Sequence, residues 1–187
     1  YMMIVKHEKF FEKPIVIVAN SSAYIHHYRK ALILKLLASN QKVVIVSPTD
    51  NSSNSLSKYV LFIPWLNTKI RSHWISISKS YIKLFINILV IKPKLVHSHT
   101  LISNFAISFF GCLLGFKNVI SFVGLGRLKS GNQLGKFILF IIIRLIILFS
   151  EYEKEKFLFF KKSKERTTFI FQNNDDREFV EKNFKTN

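Results

Sequence analysis

The chain has 187 residues, with 28 Lys and Arg against 11 Asp and Glu, and so carries a formal net charge of +17. That length suits one ordinary domain and is short for two, and a single cysteine, Cys112, excludes a disulfide framework. The charge favours phosphate-rich partners such as nucleic acid, anionic lipid or a nucleotide-sugar pyrophosphate, although richness in Lys, Ile, Asn and Phe is also what AT-rich coding sequence produces.

Tyr1 to Glu8 has no uninterrupted apolar core and no small-residue cleavage site, so no signal peptide is expected there. Pro14 to Ala19 is a continuous β-branched run bounded by polar residues, the pattern of a strand buried on both faces. Asn20, Ser21 and Ser22 break it, and a helix is predicted from Tyr24 to Leu37 with Ile25, Tyr28, Leu32 and Leu36 on its apolar stripe. Lys42 to Ser47 repeats the buried-strand pattern, which closes a βαβ unit of the usual size. The Asn- and Ser-rich stretch from Thr49 to Ser57 has the composition of a loop, and Tyr59 to Ile63 is a short strand stopped by Pro64.

A helix from about Ser72 to Ile91 leads to Lys92-Pro93-Lys94-Leu95-Val96-His97-Ser98-His99-Thr100, a strand ending in a polar loop. Leu101 to Leu114 is a crossover helix with Gly115 as its C-cap, Lys117 to Val123 the next strand, and Gly124-Leu125-Gly126 the loop after it. A Gly/Ser/Asn linker from Lys129 to Gly135 precedes an apolar helix from Lys136 to about Ser150. Its longest apolar run, Phe137 to Phe149, contains Arg144 and falls short of the roughly 18 residues a membrane span needs, so no transmembrane helix is expected. After a densely charged segment, Thr167 to Phe171 is the last strand, and a final helix begins at Asp175 as N-cap with Glu178 completing a capping box. The alternation of apolar strands and helices predicts an α/β fold, a Rossmann-like open parallel sheet with helices on both faces and right-handed crossovers, spanning residues 1–187 as one domain.

Ligands of such sheets gather at the carboxyl ends of the strands. Asn20, Ser21 and Ser22 open a helix there, where backbone N–H groups favour an anion, with plain helix capping the simpler role. They lack the Gly-rich dinucleotide fingerprint, which argues against NAD and FAD. His97 and His99 lie two apart on a strand and therefore share a face. With no third Cys, Asp or Glu ligand nearby they are expected to be hydrogen-bonding strand-end residues rather than a metal site, and His99 is the better placed for a substrate hydroxyl. Gly124 and Gly126 permit a close backbone approach to a ligand or form an ordinary turn, and Arg127 beyond them suits a phosphate or carboxylate. The adjacent His26 and His27 point about 100° apart on a helix and make a poor bidentate pair. The basic helix Tyr24 to Leu37, the loop and helix around Lys69, Arg71, Lys79 and Lys83, and the run Lys161 to Lys164 suit a solvated face or peripheral contact with anionic membrane. No nucleic-acid-binding module is recognisable, so no nucleic acid partner is expected.

These residues together resemble the N-terminal domain of family-4 glycosyltransferases, in particular bacterial enzymes that build capsule, O-antigen or exopolysaccharide units on a lipid carrier. The resemblance runs from Pro14 nearly to the end. It is carried by Asn20-Ser21, His27-Tyr28-Arg29, Lys92 to Thr100, Phe122 to Gly126, and Phe171 to Arg177 in that order and spacing. It implies one half of a GT-B architecture, in which the N-terminal domain holds the acceptor and a second domain, not contained in this chain, holds the nucleotide-sugar donor. By that likeness Asn20, Ser21, His99, Gly124 and Gly126, with Thr100 beside them, would line the acceptor side, and Asn173, Asp175 and Asp176 would lie near the hinge; Ser22 at the helix start and Arg127 beyond the Gly loop are the anion or phosphate candidates by their own positions. No cofactor and no structural metal are implied, and the chain alone is not expected to be active. The expected partners are a glycan or lipid-linked acceptor, with the nucleotide-sugar bound only once a donor domain is joined, and the expected location is the cytoplasm or the inner face of its membrane. Many family members carry a His in the loop after the fifth strand, where Ser121-Phe122-Val123-Gly124 offers none. The alternative function is a non-catalytic Rossmann-like binding module that acts with a separate donor domain.

Overall fold

The computed structural model describes residues 13–65, 74–123, 125, 132–151 and 167–184. Six strands form one sheet: β1 (Ile15–Val18), β2 (Val43–Ser47), β3 (Leu61–Pro64), β4 (Leu95–His99), β5 (Lys117–Phe122) and β6 (Thr167–Phe171). Every pairing is parallel and the order is β3-β2-β1-β4-β5-β6, which is the Rossmann-like α/β fold expected from the strand and helix alternation. The helices are α1 (Ser22–Tyr28), α2 (Lys30–Ala38), α3 (Ser53–Leu56), α4 (Trp74–Ile91), α5 (Leu101–Leu114), α6 (Gln133–Glu151) and α7 (Asn174–Phe184).

The β-branched runs occupy the middle of the sheet because a strand covered on both faces has no polar side to write into its sequence. All five residues of β2 are buried, while the edge strands β3 and β6 are half exposed. Alternate residues separate into cores on opposite faces. Ile17, Ile45, Ile25 and Ile33 form one under α1 and α2, whereas Val16, Val18, Val46 and Val96 meet α4 and α5 through Leu84, Ile88, Ile107 and Phe110. On that second face Ile120, Phe122, Ile143 and Ile146 continue the core beneath α6.

Several boundaries differ from the sequence expectation. The single helix from Tyr24 to Leu37 is two helices, broken at Arg29 with φ −122° and ψ 0°, and Tyr28 is 69% exposed instead of lying on the buried stripe. Asp50 turns part of the expected loop into the one-turn helix α3: its carboxylate accepts from the Ser52 N–H at 2.8 Å and its carbonyl from the Ser53 hydroxyl at 2.6 Å. The backbone N–H groups of Tyr59 and Val60 bond back to Leu56, so β3 begins only at Leu61 and runs through Pro64, a residue that an edge strand tolerates. For α7 the cap is Asn173, whose side chain accepts from the Asp176 N–H at 2.7 Å, two residues earlier than the cap of the expected Asp175 and Glu178 box. The segment around Lys69 and that around Lys161 lie outside the described residues.

Helix α6 is also longer than its apolar run suggests. Its start shifts to Gln133, where the Asn132 side chain accepts from the Gly135 N–H at 2.9 Å. The resulting 19 residues are long and apolar enough to cross a membrane by length and composition, yet only 17% of that stretch is buried. Ile143, Ile146 and Ile147 of α6 nevertheless pack into the core against β5 and β6.

Gly115 ends α5 as expected, in the left-handed conformation at φ 75° with its N–H bonded to the Gly111 carbonyl at 2.7 Å. Gly111 itself sits where α5 crosses β5. A Cβ there would overlap the buried Asn118 side chain. Gly111→Ala is therefore expected to destabilise the fold by about 1–3 kcal/mol despite the better helix propensity of Ala, read as a lower urea midpoint at unchanged slope.

Candidate functional site

The order of strands reverses between β1 and β4: the chain leaves β1 toward β2 and leaves β4 toward β5. Loops after such neighbouring strands diverge and open a crevice at the carboxyl edge of the sheet. Asn20 follows β1 and Thr100 follows β4, and the Asn20 N–H donates to the Thr100 hydroxyl across this point at 3.4 Å. Thr100 holds φ 72° and ψ 147°, backbone that a β-branched residue adopts only under constraint, at a cost of about 1–3 kcal/mol. It is also the N-cap of α5 without a side-chain cap hydrogen bond. Its hydroxyl instead meets Asn20 and, at 3.3 Å, Ser103. The positive end of a 14-residue helix thus opens beside the crevice.

His97 and His99 share a face of β4, as their spacing requires, with ring centroids 4.0 Å apart. The His97 Nε2 lies 2.8 Å from the Ser121 hydroxyl on β5. His99 is fully buried and receives a hydrogen bond on Nδ1 from the Arg29 Nε at 3.2 Å. A guanidinium can only donate, so Nδ1 is the acceptor and the ring proton of neutral His99 resides on Nε2. Among the described residues that buried Nε2 is one of six buried side-chain nitrogen or oxygen atoms without a hydrogen-bond partner, and the one that belongs to this cluster.

Arg29 reaches His99 because it is the break between α1 and α2. Its guanidinium carbon lies 5.5 Å from the centroid of the Tyr24 ring, which in turn packs 5.7 Å from His99. Burial pushes the Tyr24 hydroxyl upward, against the opposing pull of Arg29. Burial is also the main reason that the two histidines stay neutral. His97 is lowered to about 4, with Arg29 adding to the effect, and His99 to about 2, with His97 and Arg29 adding. The cluster therefore presents, at neutral pH, one fixed cation and one neutral ring donor.

Behind this face a buried amide ties the strand ends together. The Ser98 hydroxyl donates to Asn104 Oδ1 at 2.8 Å, Asn104 Nδ2 donates to the Ser121 carbonyl at 2.9 Å, and the Ser108 hydroxyl donates to the Asn104 carbonyl at 2.6 Å. Asn104 and Ser98 are both fully buried. This staple holds β4, α5 and β5 in the arrangement that sets the two histidines beside Ser121.

The remaining sequence candidates are distributed as follows. Ser21 caps α1 by accepting from the Tyr24 N–H at 3.2 Å. Ser22 is fully buried with its hydroxyl donating to the Pro48 carbonyl. Asn20, Ser21, His99 and Thr100 come together at the crevice, whereas Gly124, Gly126 and Arg127 lie outside the described residues. Asn173, Asp175 and Asp176 follow β6 at the far edge of the sheet, with Asp175 exposed and Asp176 buried. The rings of His26 and His27 meet edge to face, 5.2 Å apart. Among the described residues no three His, Cys, Asp or Glu side chains group as a metal site.

Arg29, Asn104 and Ser121 were not singled out as site residues from the sequence. The one local signal for Arg29 was the His27-Tyr28-Arg29 triplet; its partner is 70 residues away. Asn104, a polar residue inside an otherwise apolar helix, was the more legible of the two others. No protein-family model matches the chain, and no curated protein matches it.

Proposed function

We propose that this chain is the acceptor-binding half of a glycosyltransferase that moves a sugar from a nucleotide-sugar to a lipid-linked or glycan acceptor in surface polysaccharide synthesis, at the inner face of the cytoplasmic membrane. The observation that carries this reading is the buried His99 Nε2 without a partner, fixed as a donor by Arg29 beside the strand-reversal crevice. The ordered motifs from Asn20 to Arg177 supply the choice of reaction class. In this reading the His99 N–H donates to a sugar oxygen and Arg29 offsets negative charge on a diphosphate linker. Strained Thr100 and the amide-rich start of α5 complete a polar wall. The donor nucleotide is held by a second domain, whose basic groups would stabilise the leaving phosphate.

The test is binding of a short-chain polyprenyl diphosphate sugar, followed through the His99 ring resonances. Wild type is expected to show a saturable shift, and Arg29→Gln to weaken binding about tenfold, the loss of one charge-assisted contact. With a donor domain fused to the chain, labelled sugar from a nucleotide-sugar should appear on the acceptor. Binding without any transfer in the fusion would mark a non-catalytic binding module. No perturbation at His99 by any glycolipid would sink the acceptor assignment.

A further inference from the structure

We infer that the outer face of the α4-α5-α6 layer docks on an anionic lipid bilayer. Ten of the fifteen exposed large apolar side chains among the described residues lie on these three helices. On α4, Ile82, Ile86 and Val90 recur every four residues at 58%, 50% and 75% exposure, one outward stripe. On α6, Phe137, Ile138, Ile141 and Leu148 form the face opposite the buried Ile143, Ile146 and Ile147. Phe109 of α5 lies between, in ring contact with Phe149 of α6 at 5.3 Å. A helix that is apolar on its outward side as well as its inward side has no reason to face water.

Charge identifies the occupant. Among the described residues, the exposed ionic side chains on these three helices are Lys79, Lys83, Lys136 and Arg144, with Glu151 at the end of α6 as the one acid. Cations flanking an apolar stripe match an anionic leaflet, where their long stems let the charge reach the head groups while the aliphatic part stays on the apolar surface. A second copy would bring these cations, and a net +17 on each chain, face to face. The helix lies on the bilayer and does not cross it, because spanning would pull Ile143, Ile146 and Ile147 out of the core they share with Phe122 and Phe169. Burial of the outward side chains at the head-group boundary, to a depth of about 5–10 Å, leaves the sheet intact.

This inference does not rest on the sugar-transfer reading, and vesicle binding and glycolipid binding fail separately. The full chain is to be sedimented with phosphatidylcholine vesicles with and without phosphatidylglycerol. Wild type is expected to pellet with the anionic vesicles and to be released by salt. Ile138→Asp with Ile141→Asp should lower the partition coefficient at least about tenfold, Lys79→Glu with Lys83→Glu should remove the preference for phosphatidylglycerol, and Leu34→Asp on the opposite layer should change neither. Phe137→Trp gives a readout independent of any loss of folding: its emission should be quenched by brominated lipid, and that of Leu34→Trp should not. Equal pelleting of wild type and the Asp variant, absence of quenching at position 137, or a dimer in solution that the Asp variant dissolves would each overturn the inference.

Discussion

Between about pH 7 and about pH 4.5 the protein is expected to lose on the order of 2 kcal/mol of folding stability through His97 alone. Burial lowers His97 to about 4 in the folded chain, below its ordinary value of 6.5. Between those values the unfolded chain binds the extra proton, so stability is fully present above about pH 6.5 and falls as the pH drops toward 4. His99, lowered further by burial and by its cationic surroundings, carries the same dependence to lower pH. The ion pair between Arg177 and Glu181 is on the surface and adds little to stability. Urea unfolding at a series of pH values checks the slope, and His97→Asn should about halve it, the remainder coming from His99. A wild-type curve that stays level between about pH 6.5 and 4.5 would show that both rings take up protons as readily in the folded chain as in the unfolded one, contrary to their burial.

Asn104→Leu is expected to cost roughly 3 kcal/mol, more than most single substitutions. Leucine keeps the branching of asparagine and is bulkier, so no cavity explains the loss. What is lost is one acceptor for the buried Ser98 hydroxyl and one donor to the Ser121 carbonyl, and each group left buried without a partner costs about 1–3 kcal/mol. A second substitution separates this from poor packing. In the Ser98→Ala and Asn104→Leu double variant the orphaned hydroxyl is gone, and about 1 kcal/mol should return. A drop in urea midpoint worth less than about 1 kcal/mol in the single variant, or no recovery in the double, would mean that the staple is not what holds β4 to β5.

The fold was legible because its strands are interior. Ile15 to Val18 and Val43 to Ser47 have no polar alternation to confuse with a helix, and each is bounded by residues that break a strand. The break at Arg29 was not legible, since Tyr28 sits at helical spacing from Ile25 and nothing local marks the interruption. Its structural correlate is the contact with His99, a tertiary interaction that sequence spacing does not encode. The cap of α7 was misplaced because Gln172-Asn173-Asn174-Asp175-Asp176 offers several chemically equivalent caps, and only one aligns with the first turn. At the site, period two put His97 and His99 on one face correctly. The tautomer of His99, the amide staple behind it and the strained Thr100 depend on where chain segments meet, and so were not available to inspection of spacing.

The central position of β1 has a consequence for synthesis. One edge of β1 is matched by β2 soon after it emerges, but the other pairs with β4 in the register Ile15 to Leu95, 80 residues further along. At ribosomal rates of about 5–20 residues per second, that edge waits on the order of 4–16 s with its amide and carbonyl groups unmatched and Val16 and Val18 uncovered. For that interval the nascent chain offers an apolar template open to any neighbouring strand. Slowing translation between Ala19 and Lys94 should therefore lower the soluble yield, and accelerating it should raise it.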